Sequence, residues 1–282
     1  MKQQVIVFLS SLFFLNLMLT SCQDDDNTPE TPTNQVTTAT QYKDVETINS
    51  EINALVENVF NAESGFGRNP GASVNKVSNC VIINTEAVEN TQSIVITFED
   101  GCEINGEAIS GQIRITFEVI LNTASTIDMI YSLENVTYKD IAISGGATST
   151  FSFESNTQND SLTSNFGINS SLVFAWTNGL TATSESNLVN ETFIVTNTDV
   201  PSDFEFYTLN SGTSRTTFSN GDVYAVEITT PLRNEKNCAY TVSGRVATSQ
   251  NSETTTLDFG DGTCDNIATQ INSDGTETTI EL

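Results

Sequence analysis

From about residue 72 to the C-terminus the apolar residues of this chain recur with a period of two. Ile94, Ile96 and Phe98 alternate with Val95, Thr97 and Glu99, and Ile113, Ile115, Phe117, Val119 and Leu121 alternate with Arg114, Thr116, Glu118 and Ile120. Phe166, Ile168, Leu172, Phe174 and Trp176 share one parity. A period of two puts one apolar and one polar face on an extended segment, which suits antiparallel strands with a wet side. Asn-Gly at 105–106, 178–179 and 220–221, and Asp-Gly at 100–101, 261–262 and 274–275, punctuate the pattern. Both dipeptides tolerate the positive φ of tight hairpins. The expectation is a mainly β fold, a large antiparallel up-and-down meander of roughly ten to thirteen strands over residues 72–282. The pattern leaves a curved sheet, a sandwich and a barrel open.

One segment breaks the period. Tyr42, Val45, Ile48, Ile52, Leu55, Val56, Val59 and Phe60 recur at steps of three and four, which predicts an amphipathic helix over 42–64, stopped by Gly65, Gly67 and Pro70. Its polar face carries Glu46, Glu51 and Glu57 against Lys43, which suits a membrane-surface helix poorly and a helix packed over a sheet well.

The N-terminus reads as an address. Lys2 and the apolar run from Val5 to Leu19 have the make-up of a signal peptide over residues 1–21, and the apolar part is short for a spanning helix. Leu19-Thr20-Ser21-Cys22 resembles the bacterial lipobox, which implies cleavage before Cys22 and acylation of that cysteine, with palmitate among the acyl chains. Gln23-Asp24-Asp25-Asp26 resembles the acidic export signal of surface lipoproteins of Bacteroidota. Residues 22–41 then form a polar tether, about 24 Å long on average as a loose coil. The expected location is the outer membrane, lipid-anchored, with the folded part facing the cell exterior.

Cys22 aside, four cysteines remain. Three pairings are possible. Asn79-Cys80 through "VITFEDGC" to Cys102, and Asn237-Cys238 through "TLDFGDGTC" to Cys264, repeat one pattern: a cysteine opens a strand, and a second strand ends in Phe-x-Asp-Gly before another cysteine. Repetition favours disulfides Cys80–Cys102 and Cys238–Cys264. With "ITTPLRNEKNCAYTVSGRV", "DGCEINGEAISGQIRITF" and the C-terminal "LDFGDGTCDNIATQINSDGTETTIEL", the chain is similar to a group of uncharacterised β-rich lipoproteins of Bacteroidota. The resemblance implies location and fold class, and no activity.

The charge of -26 repels phosphate backbones, so nucleic acid is not an expected partner, and the membrane is reached through covalent lipid. The chain has no histidine, which removes Ser-His, Cys-His and His-metal chemistry. No G-x-S-x-G, Walker or dinucleotide motif occurs. Asp258, Asp261 and Asp265 offer a Ca²⁺ site as the alternative to a structural turn, and no other cofactor is expected. Asp160-Ser161-Leu162 resembles an O-glycosylation sequon of Bacteroidota, with Ser161 as acceptor. Trp176, Tyr207 and Tyr224 offer a sugar-stacking platform, although aromatics at strand parity more often fill a core. The leading expectation is a non-enzymatic surface binding or structural module for an unspecified glycan or protein. A lipid- or lipoprotein-handling carrier with an apolar cavity comes second, and a glycan hydrolase last.

Overall fold

The computed structural model describes residues 38–63, 80–88, 91–121, 125–156, 161–196 and 204–282. One helix, α1 (Ala39–Glu63), precedes a run of strands: β1 (Val81–Val88), β2 (Thr91–Phe98), the short β3 (Glu103–Ile104), β4 (Glu107–Leu121) and β5 (Ser125–Tyr138). There follow β6 (Ile141–Asn156), β7 (Ser161–Ala175), β8 (Thr181–Thr196), β9 (Phe204–Phe218) and β10 (Val223–Glu235). The shorter β11 (Thr241–Gln250), β12 (Glu253–Asp261), β13 (Ile267–Ile271) and β14 (Glu277–Glu281) complete the fold.

The strands form one 14-stranded antiparallel sheet in chain order, with β3 paired only to β4. β1 and β14 stay at opposite edges, so the sheet is an open meander and not a closed barrel or a sandwich. The strand count exceeds the expected ten to thirteen by one, the two-residue β3 in the segment after β2. Helix α1 begins three residues before the apolar stripe, at Ala39.

The hairpins at Asn178-Gly179 and Asn220-Gly221 form as expected, closing β7 to β8 and β9 to β10. The β5–β6 hairpin turns instead through Lys139 and Asp140, both left-handed at φ 54° and 60°. That turn carries no glycine, so its sequence gave no dipeptide signal.

Parity decides the core. Ile94, Ile96 and Phe98 on β2, Ile113, Ile115 and Phe117 on β4, and Leu172 and Phe174 on β7 are all buried. They meet Val45, Ile48, Ile52, Leu55, Val56 and Val59 of α1 in one cluster. Burying each of these aliphatic side chains stabilises the fold by about 2 kcal/mol relative to exposure. The helix crosses the sheet diagonally. Thr38 hydrogen-bonds Asp222 and Tyr224 at the start of β10, and Tyr42 stacks on Tyr224 with ring centroids 4.3 Å apart. Asn49 donates to Ser184 on β8, Tyr131 on β5 donates to Asn53, and Phe60 packs edge-on against Phe117 on β4.

Interruptions of the ladder bend a sheet locally and add to its twist. Register shifts occur at Ser110/Gln112, Leu133/Val136, Ile228/Leu232 and Ser243/Arg245. Beyond the helix, the bulged strands β10 and β11 join β12 and β13 in a second, smaller core of Leu232, Val246, Leu257, Phe259 and Ala268.

Both expected disulfides are formed, Cys80–Cys102 and Cys238–Cys264. Each ties the open base of a hairpin, β1–β2 in one case and β11–β12 in the other. The motif phenylalanines Phe98 and Phe259 point into the two separate cores. Each closed loop contributes about 3 kcal/mol by restricting the unfolded chain.

Candidate functional site

Burial along β7 shows where the helix stops covering the sheet. On its inward parity Phe174 is 0% exposed, Leu172 1%, Ile168 8% and Leu162 39%. Phe166 lies half-buried between the last two. The long strands β6 to β9 therefore extend beyond α1 and, among the described residues, leave one end of the concave face open.

Register builds that end row by row. Phe151 pairs with Phe166, Phe166 with Asn190, Asn190 with Asn210, and Asn210 with Leu232. The next row is Phe153, Ser164, Thr192, Thr208 and Asn234. Leu162, Ile194 and Phe206 follow. Phe151 and Phe153 meet edge to face at 4.3 Å, and Phe151 lies 6.4 Å from Phe166. Asn190 Nδ2 donates to Asn210 Oδ1, while Asn190 Oδ1 accepts from Thr192 Oγ1. This leaves the Asn210 amide nitrogen without an acceptor among the described residues. The first two rows are thus aromatic on β6 and β7 and change to amides and hydroxyls on β8 and β9, while the last row, with Ile194 and Phe206, is apolar throughout. That lining, a broad apolar surface with a few placed donors, is the usual make-up of a small-ligand site.

Between this end and the covered core lies a polar seam. Ser184 Oγ accepts from Asn49 and from Thr216, and Ser170 hydrogen-bonds Ser186. On the helix, Glu46 has an enclosed Oε1 without a partner. Burial pushes its carboxyl up to about 7, and burial also raises Glu57. Charging Glu46 therefore costs the native state more than the unfolded one. The contribution to stability is fully present below pH 4.5 and declines as pH rises through about 7. Glu46→Gln should remove that slope and stabilise the protein at pH 8 by on the order of 2 kcal/mol, measured by urea unfolding at a series of pH values. An unchanged slope would mean that Glu46 ionises freely in the fold.

The sequence-derived candidates fall differently. Cys22, Gln23, Asp24, Asp25 and Asp26 lie outside the described residues. Asp258, Asp261 and Asp265 serve local structure, one apiece. Asp258 pairs with Arg245 at 2.7 Å and accepts from the Gly260 amide, Asp261 accepts from Thr263, and Asp265 caps the Ile267 amide. Among the described residues no three carboxylates or cysteines gather as a metal site. Ser161 opens β7 at the open end of the trough, and Asp160 lies outside the described residues. Tyr224 is buried under α1 and Trp176 packs on the same core, so neither is a platform. Tyr207 faces the convex side, stacked on Phe193 with the Arg233 guanidinium 3.8 Å from its ring centroid. Arg233 is in turn bound by Glu205 and Glu235.

The residues of the open rows were hard to see in sequence. The available signal was the loss of clean alternation in β8 and β9, where Ser184, Ser186, Asn190, Thr192, Thr208 and Asn210 occupy inward positions. Among the described residues no helix is long and apolar enough to cross a membrane. No family model, curated protein or solved structure matches this chain.

Proposed function

We propose that this chain is a lipid-anchored lipoprotein of the outer membrane that acts outside the cell as a non-enzymatic binding module, with the open end of its concave face as the binding surface. The observation that carries the reading is the division of the trough. Helix α1 fills the near half with Val45, Ile48, Ile52, Leu55, Val56 and Val59, where a carrier would hold its cargo. The far half keeps half-exposed phenylalanines beside amides.

The place where the described residues begin supports the same reading. They begin at Thr38, beside the β9–β10 turn. The strands β6 to β9 are each fifteen or sixteen residues long, so the open rows stand some tens of ångströms from Thr38. A lipid on Cys22 would leave them facing away from the membrane.

Sidedness and anchoring are tested together by acyl labelling and by protease treatment of intact cells. Label in Cys22 and digestion of the folded part from outside are the expected results. A fold protected from external protease would favour the carrier reading.

A further inference from the structure

We propose that the open end of the concave face binds an uncharged oligosaccharide lying across β6 to β9. The inference rests on the binding-module reading and names the ligand class for the same surface.

Charge is the first argument. The chain carries 36 acidic side chains, yet on β6 to β9 none of the open-row positions is charged, and the first charge beyond them is Lys236, opposite Phe206 past the end of β10. The acids of the same strands, Glu154, Glu185, Glu191 and Glu205, take the opposite parity and face the convex side. A face kept free of charge in so acidic a chain complements a neutral ligand. A cationic or anionic one would be desolvated there without a partner.

The second argument is the change of chemistry across the face. Phe151, Phe153 and Phe166 offer ring surface for the C–H faces of a pyranose. On the next two strands, Asn190, Thr192, Thr208 and Asn210 offer hydroxyls and amides for its rim. The Asn210 amide nitrogen is a donor with no acceptor of its own among the described residues. An acyl chain would leave these groups unsatisfied, at a cost of about 1–3 kcal/mol for each one buried.

Size is the third. Four neighbouring strands span roughly 14 Å at 4.8 Å per interval, room for two or three sugar rings laid across them.

The test uses the mature lipoprotein in detergent, with calorimetry against neutral hexasaccharides of glucose, mannose, xylose and N-acetylglucosamine. Hexagalacturonate serves as the anionic arm and phosphatidylcholine vesicles as the lipid arm. Binding of at least one neutral hexasaccharide is expected, weakened roughly tenfold or more by Phe166→Ala and by Asn210→Ala, a loss of about 1.4 kcal/mol in each case. Phe193→Ala on the convex face should bind as the wild type does. Asn210→Ala keeps the result interpretable if Phe166→Ala unfolds.

Failure of every neutral sugar overturns the proposal. If hexagalacturonate or vesicles then bind in an Asn210-dependent way, the surface is a binding site and only the ligand class is wrong. If no probe binds, or binding ignores both variants, the binding-module reading falls with it.

Discussion

A Cys22→Ala chain should carry no acyl lipid and should keep its signal peptide, because in the proposed lipoprotein both lipid transfer and cleavage act at that cysteine. The effect is all or none, and mass spectrometry of the membrane fraction reads it directly. Replacing Asp24, Asp25 and Asp26 by Ala should have a different outcome. On the proposed reading residues up to Cys22 direct the processing, so the triple variant should be acylated and cut like the wild type. Only its sidedness should change. Protease added to intact cells should digest the wild-type fold and spare the triple variant. Equal digestion would make the acidic run a solvated spacer. A Cys22→Ala chain that still carries lipid would remove the anchor altogether. The charge of -26 sharpens the point, since an acidic surface has no attraction of its own for anionic headgroups. A few acyl chains, at about 0.8 kcal/mol per buried methylene, are what would hold such a protein to a bilayer.

Gly212→Ala should destabilise the fold by about 4 kcal/mol or more, lowering the urea midpoint sharply. Gly212 sits in β9 at φ +126°, a conformation that L side chains rarely adopt. A Cβ built there would meet the Asn187 carbonyl oxygen at 2.0 Å. The obstacle is backbone, so no side chain can turn aside. The site also matters to the architecture. Gly212 pairs with Leu188 on one side and with Ile228 on the other, and Ile228 begins the register shift in β10. Gly167 in β7 is the control. A Cβ there meets nothing within 4 Å and its φ lies outside the restricted region. Gly167→Ala should be neutral or stabilise by up to about 1 kcal/mol, because it narrows the unfolded ensemble without native strain. Equal behaviour of the two variants would show that β9 can relax away from β8.

The glutamate on α1 and the glycine in β9 bear on the same question, how a helix lies in the bend of a single open sheet. Glu46 on α1 resists ionisation, so raising the pH from 4.5 through about 7 weakens helix docking, whereas Gly212, by lacking a Cβ, lets β9 lie close against β8. Neither group belongs to the open rows. Variants at both positions should therefore move stability while leaving ligand binding by the folded protein unchanged.

Local pattern was enough for the elements and for much of their pairing. Period-two runs such as Ile113 to Phe117 bury the residues that alternation selects, because a strand has only two faces. Asn178-Gly179 and Asn220-Gly221 close hairpins because two residues fix the turn. The repeated cysteine segments pair within themselves, since each spans one hairpin and brings its own ends together. The stripe from Tyr42 to Phe60 is a helix packed on a sheet, as expected, although Glu46 and Glu57 of its polar face are themselves largely buried. Closure was decided only in three dimensions. Whether strands of this number form a barrel depends on twist and bulges summed over every interval, and no single segment carries that sum. The extent of the helix cover is likewise a tertiary fact. Phe174 and Leu162 share a strand and a parity, yet one is buried and the other is not, because α1 crosses diagonally and runs out before the strands do. The meeting of Phe166, Asn190 and Asn210 depends on register between three strands, and a one-residue slip would send each to the other face.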